Sequence, residues 1–206
     1  DPNCSTVGMT VPLKPLHDAF GVQRVVVTTM QALSGAGYPG VPSLDILDNV
    51  VPYIRNEEDK LISEPRKLLG RLEGEQIVMA DMRISPACNR VAARDGHMET
   101  LALEFAKKPG SAEEVKEVLR SFRSEPFALG CPSAVKQTII VREEPDRPQT
   151  LKDRDAGHGM AVTVGRVRPC EVLDWKMVVL SHNTIRGAAG GSVLNAEIMV
   201  ARGMIA

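Results

Sequence analysis

Much is missing from this 206-residue chain, and each absence removes a class of function. No charge of one sign dominates: 25 Lys and Arg stand against 26 Asp and Glu, with a pI near 6.5. The sequence therefore carries no electrostatic footprint for nucleic acid and no like-charge run suited to a membrane surface. Its apolar runs fall short of the ~20 residues that cross a bilayer, and it shows no basic-then-apolar leader. Cys4, Cys88, Cys131 and Cys170 are far apart and form no C-x-x-C pair. Neither a disulfide framework nor a structural zinc site is legible, no metal is expected, and a reducing compartment, the cytoplasm, is the expected setting. No internal repeat or low-complexity segment appears.

What remains is 43% apolar residues, enough to bury a real core. Val7, Val11, Leu13, Leu16 and Phe20 predict a helix over 5–20, with a kinked or irregular middle at Pro12 and Pro15. A buried strand follows over 23–29, running into the glycine-rich loop Ser34 to Gly40. That loop lets backbone approach a ligand and is not read as a dinucleotide fingerprint. A short helix capped by Ser43 is expected over 43–50, a solvated charged surface over 55–60, and a second short helix capped by Ser63. Strands are expected over 76–84, extended chain over 89–93, and a returning strand over 97–105. The Asp95-Gly96 dipeptide predicts a hairpin between the last two. Ser111-x-x-Glu114 is a capping box before Val115, Val118, Leu119 and Phe122. A strand over 136–142, a polar excursion over 143–159, a strand pair over 161–167 and 173–180, and a final helix with Val193, Leu194, Glu197 and Ile198 complete the reading. These elements predict an α+β domain whose mixed, largely antiparallel sheet is covered by helices on one face.

Among residues able to do chemistry, Cys4 comes first. A thiol at the start of a helix faces unpaired backbone N–H groups and the positive end of the dipole, which favour the thiolate. Taken alone, however, a cysteine is more often a small buried hydrophobe. Glu64 and Lys67 lie three apart on one helical face, where the plain expectation is a surface ion pair worth a few tenths of a kcal/mol.

Five blocks in order carry a resemblance: Asn3-Cys4-Ser5-Thr6; Gln31 with Ser34-Gly35-Ala36-Gly37-Tyr38-Pro39-Gly40; Ser43 to Asn49; Cys88-Asn89-Arg90 with Asp95-Gly96-His97; and Asn183-Thr184-Ile185 with Gly187-Ala188-Ala189-Gly190. Together they resemble the aspartate-β-semialdehyde dehydrogenase family, in wording closest to its archaeal and fungal branch. The resemblance runs almost the full length of the chain. It implies a glyceraldehyde-3-phosphate-dehydrogenase-like catalytic domain, with 1–185 as the catalytic and dimerisation unit. Residues 186–206 are then a helix that packs on a Rossmann domain, most of which lies outside this chain.

The resemblance also assigns roles. Cys4 resembles the nucleophile that takes an acyl group from aspartyl-β-phosphate as a thioester, later reduced by hydride from NADPH. Backbone N–H groups near Asn3 and Cys4 would hold the oxyanion. His97 resembles the general acid/base, and Gln31 the residue that orients the acyl intermediate. Arg90 resembles the bidentate grip on the substrate carboxylate, placed near His97 by an offset of seven residues. Glu64 resembles the ammonium ligand and Lys67 the phosphate contact. Ser34, Gly35, Asn183 and Gly187 fall where the family meets NADP(H), most of whose site is expected outside this chain. A homodimer or homotetramer and a role in amino-acid biosynthesis are implied, with turnover not expected from this stretch alone. The rival readings are a related acyl reductase, acting on N-acetyl-glutamyl-phosphate or malonyl-CoA, and a non-catalytic dimerisation module.

Overall fold

A computed structural model of the chain describes residues 1–205. Its first helix, α1, runs from Cys4 to Phe20. The Asn3 side-chain oxygen caps it, accepting from the Ser5 and Thr6 N–H groups at 2.9 and 3.3 Å. The helix continues through Pro12 and Pro15 where a kink was expected. Each proline forfeits one backbone donor, but both rings are buried and their packing offsets the loss. The buried stripe is Met9, Leu13, Leu16 and Phe20, spaced four, three and four. Val7 and Val11, expected on that stripe, are only half-buried. Gly21, at φ 68°, ends the helix by donating to the His17 carbonyl.

The chain continues as β1 (Val22–Gln31), a 3-10 turn (Leu33–Ala36), α2 (Ser43–Ile46), α3 (Glu57–Leu68), β2 (Arg71–Glu73), β3 (Gln76–Val78), β4 (Arg83–Arg90) and β5 (His97–Phe105). After these come α4 (Ala112–Ser121), α5 (Glu125–Ala128), β6 (Ile139–Val141), α6 (Thr150–Asp153), β7 (Val162–Pro169) and β8 (Trp175–Ser181). A π-turn (Ile185–Ala189) then leads into α7 (Gly190–Ala201). Six strands form one sheet in the order β4-β1-β5-β8-β7-β6, antiparallel across its centre and parallel at the β4–β1 and β7–β6 edges. The expected α+β architecture is borne out.

The expected hairpin at Asp95-Gly96 is not. Gly96 does turn the chain at φ 95°, but β1 lies between β4 and β5 and uses both its edges, parallel to one and antiparallel to the other. A turn dipeptide specifies a reversal of direction and says nothing of which strand becomes the neighbour. The consequence is functional: register pairs Gln31 with Arg90 and Met30 with Met98, so the ends of three strands meet at one corner of the sheet.

Other expectations shift at their edges. The region over 76–84 divides into β3 and β4, separated where Ala80 N donates to the Arg66 carbonyl. The strand expected over 136–142 shortens to β6. Helix α2 stops at Ile46, with Ser43 inside it rather than capping it. Ser63 is likewise inside α3, its hydroxyl donating to the Asp59 carbonyl, because that helix begins six residues earlier. The loop after β1 does carry Gly35-x-Gly37-x-x-Gly40 spacing. It folds as a single 3-10 turn before a four-residue helix, not as the strand–turn–long-helix unit of a dinucleotide-binding motif.

The polar excursion is anchored by Asp153, which is buried. Asp153 accepts from Arg142, Arg147 and the Gln149 backbone. The core lies between α1 and the sheet, where Phe20 and Phe105 meet edge to face at 5.7 Å and Leu101, Leu103 and Val179 are sealed.

Candidate active site

Alternation along β5 sends His97, Glu99, Leu101 and Leu103 to the face beneath α1. Register places Thr29 and Gln31 of β1 and Cys88 and Arg90 of β4 on that same face. Helix α1 begins above this corner, and the Cys4 Sγ stands 3.2 Å from His97 Nε2. The His97 Nδ1 accepts a hydrogen bond from Ala32 N at 3.0 Å. A nitrogen that accepts carries no proton in the neutral ring, so Nε2 holds the hydrogen and presents it to Cys4.

Four of the expected residues thus come together. Arg90 is buried and donates from Nη1 to the Ala32 carbonyl at 2.7 Å, leaving Nη2 and Nε for a ligand. A Cβ on Gly35 would lie 2.8 Å from both Arg90 Nη1 and His97 Cε1, and one on Gly187 would lie 2.8 Å from Cys4 Cβ. Only glycine permits these approaches. Asn183 ties the corner together: its Nδ2 donates to Ser34 Oγ at 2.9 Å and its Oδ1 accepts from Gly96 N at 2.8 Å. Glu64 reaches the start of α1, where its Oε2 accepts from Asn3 N at 2.8 Å. Lys67 does not join them. It lies exposed on α3, its side chain making neither a hydrogen bond nor the expected ion pair to Glu64 among the described residues.

The most informative residue is one the sequence reading assigned to a solvated surface. Glu57 is 7% exposed. Its two carboxylate oxygens accept from Asn3 Nδ2 at 2.8 and 2.9 Å, and Oε2 also accepts from Gln31 Nε2 at 3.1 Å. Nothing within the run Glu57-Glu58-Asp59-Lys60 marks the inward residue. The signal was the register of α3, in which Glu57 shares a face with the buried Leu61 and Pro65. Glu99 was missed too, although its alternation with Leu101 and Leu103 put a carboxyl on the apolar face. It is fully buried with both oxygens unpartnered among the described residues. Burial raises its pKa well above the usual carboxyl range and favours the uncharged form.

The electrostatics reverse one expectation. Burial, reinforced by the negative charge of Glu57, pushes the Cys4 thiol up to about 11, despite backbone N–H groups at Ser5 and Cys4 that pull it down. The helix start has little left to offer a thiolate. Asn3 Oδ1 already takes the Ser5 and Thr6 N–H groups, and Asn3 N is committed to Glu64. Of the expected oxyanion donors, the Cys4 N–H remains. His97 is pushed down to about 3 by burial first and then by the positive charges of Arg90 and His182, so it too is neutral. A cleft of about 420 Å³ runs along α1 past Val11, Phe122 and Leu194. None of His97, Gln31 or Arg90 lines it, and of the site's residues Gly187 borders it.

Comparison with known proteins places the chain in a family. Residues 13–186 match the model of the semialdehyde dehydrogenase dimerisation domain. Aspartate-semialdehyde dehydrogenase of Archaeoglobus fulgidus is 52% identical over 200 residues, covering 97% of this chain and 57% of that protein. Its counterpart in Candida albicans is 52% identical over 211 residues, covering 98% and 58%. The crystal structure of the Candida albicans enzyme with NADP superposes with a TM-score of 0.90 at 50% identity, covering 98% of this chain and 57% of that one. Aspartate semialdehyde dehydrogenase II of Vibrio cholerae gives 0.76 at 30% identity, covering 97% and 61%. The chain spans a little over half the length of the curated relatives it matches. With a family model covering most of its residues, the chain belongs to the semialdehyde dehydrogenase dimerisation-domain family.

Proposed function

We propose that this chain supplies the catalytic and dimerisation domain, over 1–185, of an NADP-dependent aspartate-β-semialdehyde dehydrogenase that works as a cytoplasmic homodimer or homotetramer in amino-acid biosynthesis. The observation that carries this reading is the 3.2 Å approach of Cys4 Sγ to His97 Nε2, framed by Gln31 and Arg90. In the biosynthetic direction Cys4 sulfur bonds the carbonyl carbon of L-aspartyl-β-phosphate. The C–O bond breaks, phosphate leaves with its electron pair and takes up the thiol proton, and a thioester remains on Cys4. His97 Nε2–H is placed to donate to oxygen that gains charge on the acyl carbon, aided by Cys4 N–H. Arg90 holds the substrate carboxylate with the donors it has free, Glu64 draws the ammonium group, and Lys67 meets phosphate at the rim.

The residues nearest the reacting carbon fit a nicotinamide. Gly35 and Gly187 bring their backbones close against Arg90, His97 and Cys4 with no side chain between, and the Ser34–Asn183 pair offers polar groups beside them. NADP(H), when bound, supplies or accepts the hydride. Most of its contacts belong to a cofactor domain against which 186–206 packs. Val193, Val200 and Met204 leave exposed apolar surface on that segment for such packing.

The test is phosphate-dependent NADP⁺ reduction by the full-length enzyme with L-aspartate β-semialdehyde, beside N-acetylglutamate semialdehyde. Turnover is expected with the first and is lost in Cys4→Ala. Preference for the second would overturn the reading in favour of the rival acyl reductase, which uses the same thioester step.

A further inference from the structure

We propose that Glu57 is the positioning residue that sets the hydrogen-bonding polarity of this site, and through it the preference for an acyl group bearing an α-ammonium. The inference rests on the semialdehyde reading above. Its basis is a closed count of donors. Gln31 has two amide hydrogens, and Nε2 directs them to Thr29 Oγ1 at 3.3 Å and Glu57 Oε2 at 3.1 Å. Nothing is left to donate. Its carbonyl oxygen takes no hydrogen bond among the described residues and is not among the sealed, unpartnered atoms, so Gln31 offers a ligand an acceptor only.

Asn3 is held the same way. Its Nδ2 is spread across both Glu57 oxygens while its Oδ1 caps α1. One carboxylate therefore fixes the orientation of two amides and ties the first turn of α1, with Cys4 on it, to the end of β1 and the start of α3. Glu57 and Glu64 place negative charge on the Asn3 side of the corner, while Arg90 places positive charge beside Ala32 and His97. A zwitterionic acyl group is matched at both ends: carboxylate to Arg90, ammonium to the acceptor-only side that Glu57 organises. Without Glu57 the Gln31 amide is free to turn and present N–H groups, which reject an ammonium.

The chain itself permits a test that needs no cofactor. An aldehyde adds reversibly to Cys4, sulfur bonding carbon and the thiol proton passing to oxygen, and so protects Cys4 from iodoacetamide. Protection by L-aspartate β-semialdehyde and by succinate semialdehyde, which lacks the ammonium, is read by mass spectrometry of the Cys4 peptide. Wild-type protein, Glu57→Ala, Glu57→Gln and Glu58→Ala are compared, Glu58 being a helix neighbour that accepts from Cys88 N. Wild type should favour the amino-bearing aldehyde, and both Glu57 variants should lose roughly tenfold of that preference, the scale of one charged hydrogen-bond network. At pH 8 both should also alkylate roughly five- to tenfold faster without ligand, because a negative charge facing the thiol is gone.

Glu58→Ala should change neither readout. Glu57→Gln keeps the side-chain shape and carries the test if Glu57→Ala does not fold. Unchanged preference and unchanged alkylation in folded Glu57 variants overturn the proposal while leaving the semialdehyde reading intact. If neither aldehyde protects wild-type Cys4, the substrate reading fails, and an unchanged alkylation rate in Glu57→Gln then overturns the role of Glu57 separately.

Discussion

The two halves of α1 lie on the same face of the same sheet and are packed in opposite ways. Toward its C-terminus Met9, Leu13, Leu16 and Phe20 are sealed against Val25, Leu101, Leu103 and Phe105, with no polar side chain among them. Toward its N-terminus Cys4 meets His97, Gly8 packs against Glu99 and Ser181, and Ser5 and Thr6 are buried. There the hydroxyls of Ser5, Thr6 and Ser181 and both Glu99 oxygens lack partners among the described residues. One strand, β5, serves both halves, passing from His97 and Glu99 to Leu101 and Leu103 within seven residues. The apolar half supplies cohesion. The polar half holds groups that are costly to bury, and their geometry persists because the other half keeps the helix in place. Stability and reactivity are thus separable along a single helix.

The largest effect should come from attacking the cohesive half. Leu13→Ala removes a fully buried side chain between α1 and the sheet and should cost about 2–5 kcal/mol of unfolding free energy. In protein that remains folded, Cys4 alkylation at pH 8 should be unaltered. A changed rate would show that the two halves are coupled. Glu99→Gln should act in the opposite direction. Below about pH 4.5 the carboxyl is protonated in both folded and unfolded chains, and the variant should match wild type. As pH rises, the unfolded carboxyl ionises while the buried one does not. Wild type therefore loses up to about 1.4 kcal/mol per pH unit until the folded group titrates, a loss glutamine does not share. Denaturant unfolding at pH 4.5, 6 and 8 should show curves that diverge upward for Glu99→Gln, and parallel curves would contradict an uncharged Glu99. His97 works on the acid side of both proteins. Its folded pKa is depressed, so the stability it contributes is complete above about pH 6.5 and is lost as pH falls toward 3.

The cohesive half was largely legible in the sequence, and so was α4, whose Ser111 hydroxyl accepts from Glu114 N while Glu114 reaches back to Gly110 N. Spacing alone did not reveal the reactive corner. Cys4 and His97 are 93 positions apart, and only the wording of short blocks joined them before the fold did. Arg90 was placed near His97 by a hairpin that does not exist, and the placement survives because β1 enters between their strands and brings both ends to one corner. Glu57 stayed hidden because local charge dominated the reading of its segment, while its burial depends on the register of a helix whose start was misplaced. The direction of the Cys4 shift was illegible for a related reason. Burial and the charge of Glu57 outweigh the helix-start amides at Cys4, and both are tertiary facts.

The smallest expected effect bears most directly on how the polar half is held together. Asn3 does two things at once: Oδ1 caps α1, and Nδ2 neutralises part of the demand of Glu57. Serine and aspartate both cap helices about as well as asparagine, so at an ordinary N-terminus Asn3→Ser and Asn3→Asp would be nearly silent. Here they should part. Asn3→Ser keeps the cap and withdraws two hydrogen bonds from a carboxylate that retains Gln31 and, at 3.5 Å, Lys60. That change should cost about 1 kcal/mol. Asn3→Asp keeps the cap but sets a carboxylate against Glu57, and the added negative charge beside the thiol should slow Cys4 alkylation at pH 8 as well as lower stability. If aspartate proves as benign as serine in both measurements, the capping bond alone matters at this position and Glu57 does not bind Asn3 in solution. If aspartate is the worse of the two, the reactive end of α1 is organised around a single buried carboxylate.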